Sequence, residues 1–178
     1  RRGVKIASVR TRHANRSIWG HLAEREKTLP LVTPLDIYPQ FGETRGSWFW
    51  DSGMAVVEIE TEEAITGSGW CEDGCSAISL IIENHLSRLL IGQDAGEIEG
   101  LWDRLFRATL PYGRKGVALH ALSAIDLALW DLAGKVAGLP IYQLLGGASR
   151  HRIPAYASGL FRRERADNTA ALVDEAQG

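Results

Sequence analysis

Apolar and polar residues alternate from Val4 to Arg10, with Val4, Ile6 and Ser8 on one side and Lys5, Ala7 and Val9 on the other, which predicts a β-strand. The alternation returns from Met54 to Glu60 through Val56, Val57 and Ile59, and again from Ile65 to Trp70 after a Glu62-Glu63 turn. These runs predict a hairpin, and with the first run about three antiparallel strands. The period then becomes helical. Ile78, Ile81, Ile82, Leu86, Leu89 and Leu90 recur at i, i+3 and i+4, with Ser76 placed as an N-cap. Asp94 followed by Glu97 reads as a capping box that opens a second helix, with Ile98, Leu101, Trp102, Leu105 and Phe106 on its apolar face and an end near Pro111. A longer helix is expected from about Val117 to Val136, burying Val117, Leu122, Ile125, Leu129, Leu132 and Val136, with Gly138 and Pro140 stopping it. A short helical turn at Ile141 to Leu145 closes on Gly146-Gly147.

Past that point the chain changes character. Ile153 to Tyr156 predicts a strand and Thr169 to Gln177 a helix, the opening of a β/α alternation. One such unit cannot bury its own faces. Arg152 is therefore expected as an approximate domain boundary, with further β/α units normally following. Asn15 to Ser52 shows no sustained period and holds Pro30, Pro34, Pro39, Gly20, Gly42 and Gly46, so it reads as a long irregular loop, a feature usually reserved for function or disorder.

Composition narrows the class. The 178 residues are 45% hydrophobic and 24% charged, which fits a globular chain of one domain, or one domain plus part of another. A net charge of -2 makes no electrostatic case for nucleic acid or an anionic membrane. The cluster Arg1, Arg2, Lys5, Arg10 and Arg12 is interleaved with the alternating strand pattern and reads as a solvated strand face. Cys71 and Cys75 fall in an expected turn with no second Cys or His pair at zinc spacing, so neither a metal site nor an oxidising compartment is indicated. No run approaches the ~18 apolar residues that span a bilayer, and a soluble, cytoplasmic protein is the expectation.

One segment carries more information than its period. It runs Ser123-Ala124-Ile125-Asp126-Leu127-Ala128-Leu129-Trp130-Asp131, then Gly134-Lys135, a Gly138-Leu139-Pro140 stop and a Leu144-Leu145-Gly146-Gly147 turn. Ala124, Ala128 and Gly134 keep one helix flank thin for close packing, and Asp126 and Asp131 are spaced to reach neighbouring backbone groups or basic residues. Ser123 to Gly147 resembles the signature of the mandelate racemase and muconate lactonizing branch of the enolase superfamily, and the order of elements resembles that branch as well. The resemblance implies an α+β fold: an enolase-like N-terminal capping domain, a three-stranded antiparallel sheet plus helical bundle, over residues 1–151. It places the first strand and helix of a truncated TIM-type barrel over 152–178. The signature residues are expected to be structural.

The same resemblance implies the chemistry. In this family a base removes the proton next to a carboxylate while Mg²⁺ holds the developing charge. The lysine base, three acidic metal ligands and a His-Asp pair belong to later barrel strands, so no catalytic or metal-ligating residue is assigned here, and this chain alone is expected to be inactive. What it can supply is substrate recognition. Thr33-Pro34 followed by Glu43-Thr44-Arg45-Gly46-Ser47-Trp48 resembles the corresponding loop of the L-rhamnonate dehydratase family, where an arginine at the place of Arg45 faces substrate. A guanidinium binds a carboxylate bidentately; the competing expectation is that Arg45 pairs with Glu43 or Asp51, or packs on Trp48. His21 is a second candidate. Trp48, Phe49 and Trp50 either wall a sugar-acid pocket or anchor the loop, and Ser158 and Gly159 lie just beyond the expected barrel strand. The full enzyme is thus expected to be a Mg²⁺-dependent sugar-acid dehydratase, homo-oligomeric, with no nucleic-acid or membrane partner. A racemase or cycloisomerase of the same superfamily is the alternative, and a non-catalytic interaction module is the alternative of another class.

Overall fold

A computed structural model of the chain describes residues 3–14, 37–41, 54–72, 76–156, 169 and 173. They fall in two units: Arg1–Ser17 with Ser52–Ala148, and Ile18–Asp51 with Ser149–Gly178.

The first unit is built on an antiparallel sheet of β1 (Ile6–Ala14), β2 (Met54–Thr61) and β3 (Thr66–Glu72), in the order β1-β2-β3. In the central strand Ala55, Val57 and Ile59 are fully buried, while Val56, Glu58 and Glu60 lie on the opposite, half-exposed face. β1 departs from the simple alternation expected for it. A bulge between Ile6 and Ser8 shifts the register, so Ile6 and Val9, three residues apart, both serve the core. β1 also runs to Ala14, four residues past the expected end, because Thr11, Arg12 and His13 continue the ladder opposite Val57, Val56 and Ala55. Cys71 lies in β3 opposite Ala55 rather than in a turn, and packs against the core.

One face of the sheet is covered by helices. α1 (Ala77–Ile81), a π-helical turn (Ile82–Leu86) and α2 (Ser87–Leu90) occupy the stretch where one uninterrupted helix is expected. Ile78, Ile82, Leu86 and Leu90 form the buried row, each no more than 2% exposed. A strict i, i+4 row drifts by ~40° per step around an α-helix of 3.6 residues per turn. The wider π turn rotates less per residue and brings the row back onto the sheet. Ser76 does not cap this helix, since its backbone is already helical and its hydroxyl makes no capping bond.

α3 (Ile98–Thr109) buries Ile98, Leu101 and Leu105. Its expected capping box is not formed: the helix begins after Glu97, and the Asp94 carboxylate accepts instead from the Gly96 N–H at 2.9 Å in a turn of its own. Trp102 remains 38% exposed and stacks on Phe106 with 5.2 Å between ring centroids. The central helix α4 (Val117–Ala137) buries Leu122, Ile125, Leu129 and Leu132 as expected, whereas Val136, in the last turn, is 46% exposed. Gly138 terminates α4 in the left-handed region at φ 65°, with Leu139 N–H bonded to Gly134 O and Gly138 N–H to Lys135 O, a Schellman arrangement. α5 (Ile141–Leu144) follows.

α4 is long and apolar enough, by length and composition, to cross a bilayer, contrary to the reading of the bare sequence; half of its most apolar stretch is buried inside this unit. Asp126, Asp131 and Lys135 interrupt it, and its apolar face is spent on the sheet.

In the second unit Pro39–Phe41 forms a short 3-10 turn. The strand expected at Ile153 to Tyr156 is not formed: these residues are exposed and irregular, and no described segment offers them a ladder partner. Thr169 and Val173, both within the stretch expected as a helix, have helical backbone; its other residues lie outside the described ones.

Candidate functional site

The residues that carry the substrate expectation, Arg45, His21 and Trp48, lie outside the described residues, as do Phe49, Trp50, Ser158 and Gly159. What is described is the stem of the segment that bears the first three. Ala14 and Met54 are register partners at the open end of the β1–β2 pair, so segment 15–53 leaves and re-enters the sheet at adjacent backbone positions. Behind that end the outer face of the sheet is a charge ladder. Arg12 pairs with Glu58 at 2.9 Å, Arg10 approaches Glu60 at 4.0 Å, and the Ser8 hydroxyl donates to Glu60 at 3.3 Å. These cross-strand partners offset the charges of Arg10 and Arg12 locally, and such exposed pairs hold register more than they add stability.

The signature helix shows in detail why its residue types are needed. Gly67 and Gly69 of β3 face α4 so closely that a Cβ on Gly69 would stand 2.0 Å from Ala124 O, and one on Gly67 2.2 Å from Ala128 O. Two glycines and two alanines thus form one contact between strand and helix, and the alanine half is the part read from the motif. Asp131 and Lys135 then finish the sheet edge. Asp131 accepts the Ser68 N–H at 2.8 Å, Lys135 donates to Thr66 O at 2.8 Å, and the two side chains pair at 2.6 Å. Backbone groups that an edge strand would leave open are therefore occupied by one i, i+4 pair. Asp126 is half-buried, and burial pushes its carboxyl above the ordinary range.

Elsewhere on this unit, Glu83 and His85 of the π turn reach across to other elements. Glu83 accepts the Thr11 hydroxyl of β1, and His85 Nδ1 lies 2.7 Å from the Tyr112 hydroxyl. Burial raises the Tyr112 phenol above its usual value, so it stays neutral around pH 7. Open hollows among the described residues include one of about 900 Å³ at Leu110–Lys115 and one of about 560 Å³ where Gly134, Lys135 and Leu139 meet Tyr142. Neither contains a residue singled out for substrate binding. Among the described residues no group of three or more His, Cys, Asp or Glu side chains is placed to hold a metal ion.

Comparison with known proteins places this arrangement. The family model for the mandelate racemase / muconate lactonizing enzyme N-terminal domain matches residues 49–146, more than half of the chain. A protein of Caldivirga maquilingensis provisionally named an L-rhamnonate dehydratase is 48% identical over 130 residues, covering 72% of this chain and 32% of that protein. The L-rhamnonate dehydratase of Saccharopolyspora erythraea is 41% identical over 129 residues, covering 72% and 33%. Among solved structures, the rhamnonate dehydratase of Gibberella zeae complexed with Mg superposes with a TM-score of 0.71 at 31% identity, over 84% of this chain and 38% of that one. The chain spans about a third of the length of the curated relatives it matches. With its three-stranded antiparallel sheet, its helical layer and its Ser123 to Gly147 signature, the chain belongs to the mandelate racemase / muconate lactonizing enzyme branch of the enolase superfamily and carries that branch's N-terminal domain.

Proposed function

We propose that the full protein is a Mg²⁺-dependent acid-sugar dehydratase acting on an aldonate of the L-rhamnonate type, and that this chain is its substrate-selecting N-terminal part. The observation that carries the reading is the 48% and 41% identity to L-rhamnonate dehydratases across 72% of the chain. The domain division that goes with it is a capping domain over 1–151 and the opening of the barrel from 152. Mg²⁺ is bound in a solved relative; in this protein its ligands lie outside the described residues, and the base that takes the proton next to the carboxylate belongs with them. The role left to this chain is recognition. Arg45 grips the substrate carboxylate through two parallel N–H donors, a geometry that lysine cannot reproduce. His21 hydrogen-bonds the sugar hydroxyls, and Trp48 supplies an apolar wall on the same segment. The protein works in the cytoplasm as a homo-oligomer on a small-molecule substrate.

A panel of aldonates offered to the full-length enzyme with Mg²⁺ tests this. Dehydration of L-rhamnonate or a close stereoisomer is expected, with kcat/KM falling by roughly 10²-fold or more in Arg45→Ala and little recovered in Arg45→Lys. Dehydration of no member of the panel would remove the reading in favour of a racemase, a cycloisomerase or a non-catalytic module.

A further inference from the structure

The buried row Ile78, Ile82, Leu86 and Leu90 passes over the i+7 position that an α-helix would bring to the same face. Continued as an α-helix from α1, the row would run Ile78, Ile82, His85 and Leu89. Continued backwards from α2, it would run Leu90, Leu86, Glu83 and Ser79. Either way a titratable side chain turns into an apolar core, where burial without a partner is costly. His85 and Glu83 are instead held outward, each against a hydroxyl of another element. His85 Nδ1 lies 2.7 Å from the Tyr112 hydroxyl in the connection between α3 and α4, and the Glu83 carboxylate accepts the Thr11 hydroxyl of β1. The backbone follows the same register. Ser87 N–H donates to Ile82 O, five residues back, and Glu83 O, its partner in an α-helix, takes the Ser87 hydroxyl at 2.8 Å. The α row is otherwise prepared, since Leu89 already packs, half-buried, against the core.

We infer that Ile82–Leu86 is a register switch: Glu83 and His85 select the π register of residues 77–90, and an α register one residue away is its alternative. Passing between the two turns α1 against α2 by ~100°, the rotation of one α-helical residue. Slip of α2 against a fixed α1 carries His85 inward and releases Tyr112; slip of α1 against a fixed α2 carries Glu83 inward and releases Thr11. The switch thus holds β1 on one side and the α3–α4 connection on the other. It concerns the scaffold alone and is independent of the substrate.

Crystal structures of the full-length protein carrying His85→Leu, which makes the first α row apolar throughout, and His85→Gln, which keeps that position polar, test the switch. His85→Leu is expected to form one continuous α-helix from Ala77 to Leu90, with the Ser87 N–H on Glu83 O and Leu89 replacing Leu90 in the buried row. His85→Gln is expected to keep the Ser87 N–H on Ile82 O. A π turn retained in His85→Leu overturns the inference, and so does a continuous α-helix in His85→Gln. Amide hydrogen exchange of the wild-type full-length protein is a second measurement that needs no variant to fold. An accessible second register opens the segment without global unfolding, so amides of residues 86–90 are expected to exchange roughly tenfold faster than those of residues 122–132 in α4. Equal protection of the two stretches overturns the switch. If His85→Leu does not fold, that comparison decides alone.

Discussion

Gly69 and Ala124 meet with no room for another carbon. A methyl group at Gly69 would press on a backbone oxygen, which cannot rotate aside as a side chain can, so α4 would have to lift from β3. Gly69→Ala is expected to destabilise the fold by about 2–4 kcal/mol in urea denaturation, whereas a change within about 0.5 kcal/mol would mean that the helix is free to shift. Asp126 makes the opposite kind of prediction. Its carboxyl sits above the ordinary value through burial, so the folded state binds a proton more readily than the unfolded chain. The charged form therefore costs stability above the folded pKa, and that cost is relieved as pH falls toward the ordinary carboxylate value. Asp126→Asn should raise the Tm at pH 7, and the gain should vanish near the ordinary carboxylate pKa; a loss at pH 7 would show an attractive partner outweighing desolvation. At this scale the motif displayed the small residues of α4 but not their counterparts. Gly67 and Gly69 look like strand-weakening glycines in sequence, and only the docked helix shows what they make room for.

Among the elements, periodicity located strands and helices well and failed where one residue changes the phase. The β1 bulge and the π turn are both one-residue departures, and both leave the apolar spacing looking regular: Val4 to Arg10 reads as a plain alternation with Ile6 and Val9 on opposite sides, Ile78 to Leu90 as an ordinary helix. Capping failed for a different reason. Ser76 and Asp94 have the right chemistry at the right spacing, but Ser76 already has helical backbone, and Asp94 spends its carboxylate on the Gly96 N–H in a turn of its own. The β2–β3 connection holds the one described residue other than glycine at positive φ, Ala64 at 60°. An L-residue there costs about 1–2 kcal/mol, against about 0.5–1 kcal/mol for the extra freedom that glycine brings to the unfolded chain. Ala64→Gly is thus expected to be stabilising by roughly 0.5 kcal/mol on thermal or urea denaturation. A destabilised variant would show that the alanine methyl makes contacts worth more than the strain.

Across the whole molecule, identity and chemistry separate. The segment that names the family is scaffold: it docks α4 on β3 and closes the sheet edge through Asp131 and Lys135. The residues proposed to bear on substrate were legible only as a loop resemblance, because a sequence rich in Pro and Gly has no period from which geometry can be read. This stretch corresponds to about a third of its relatives' length. The claim that joins these parts is that the full protein removes the C2 proton of an aldonate and then expels the C3 hydroxyl as water. Full-length enzyme with Mg²⁺ and L-rhamnonate in D₂O, followed by mass spectrometry and proton NMR, measures both steps together. The account predicts a product lighter than the substrate by one water, with kcat/KM sharply reduced in Arg45→Ala. Deuterium entering C2 of an intact aldonate with no loss of water would contradict it, and would identify a racemase built on the same scaffold.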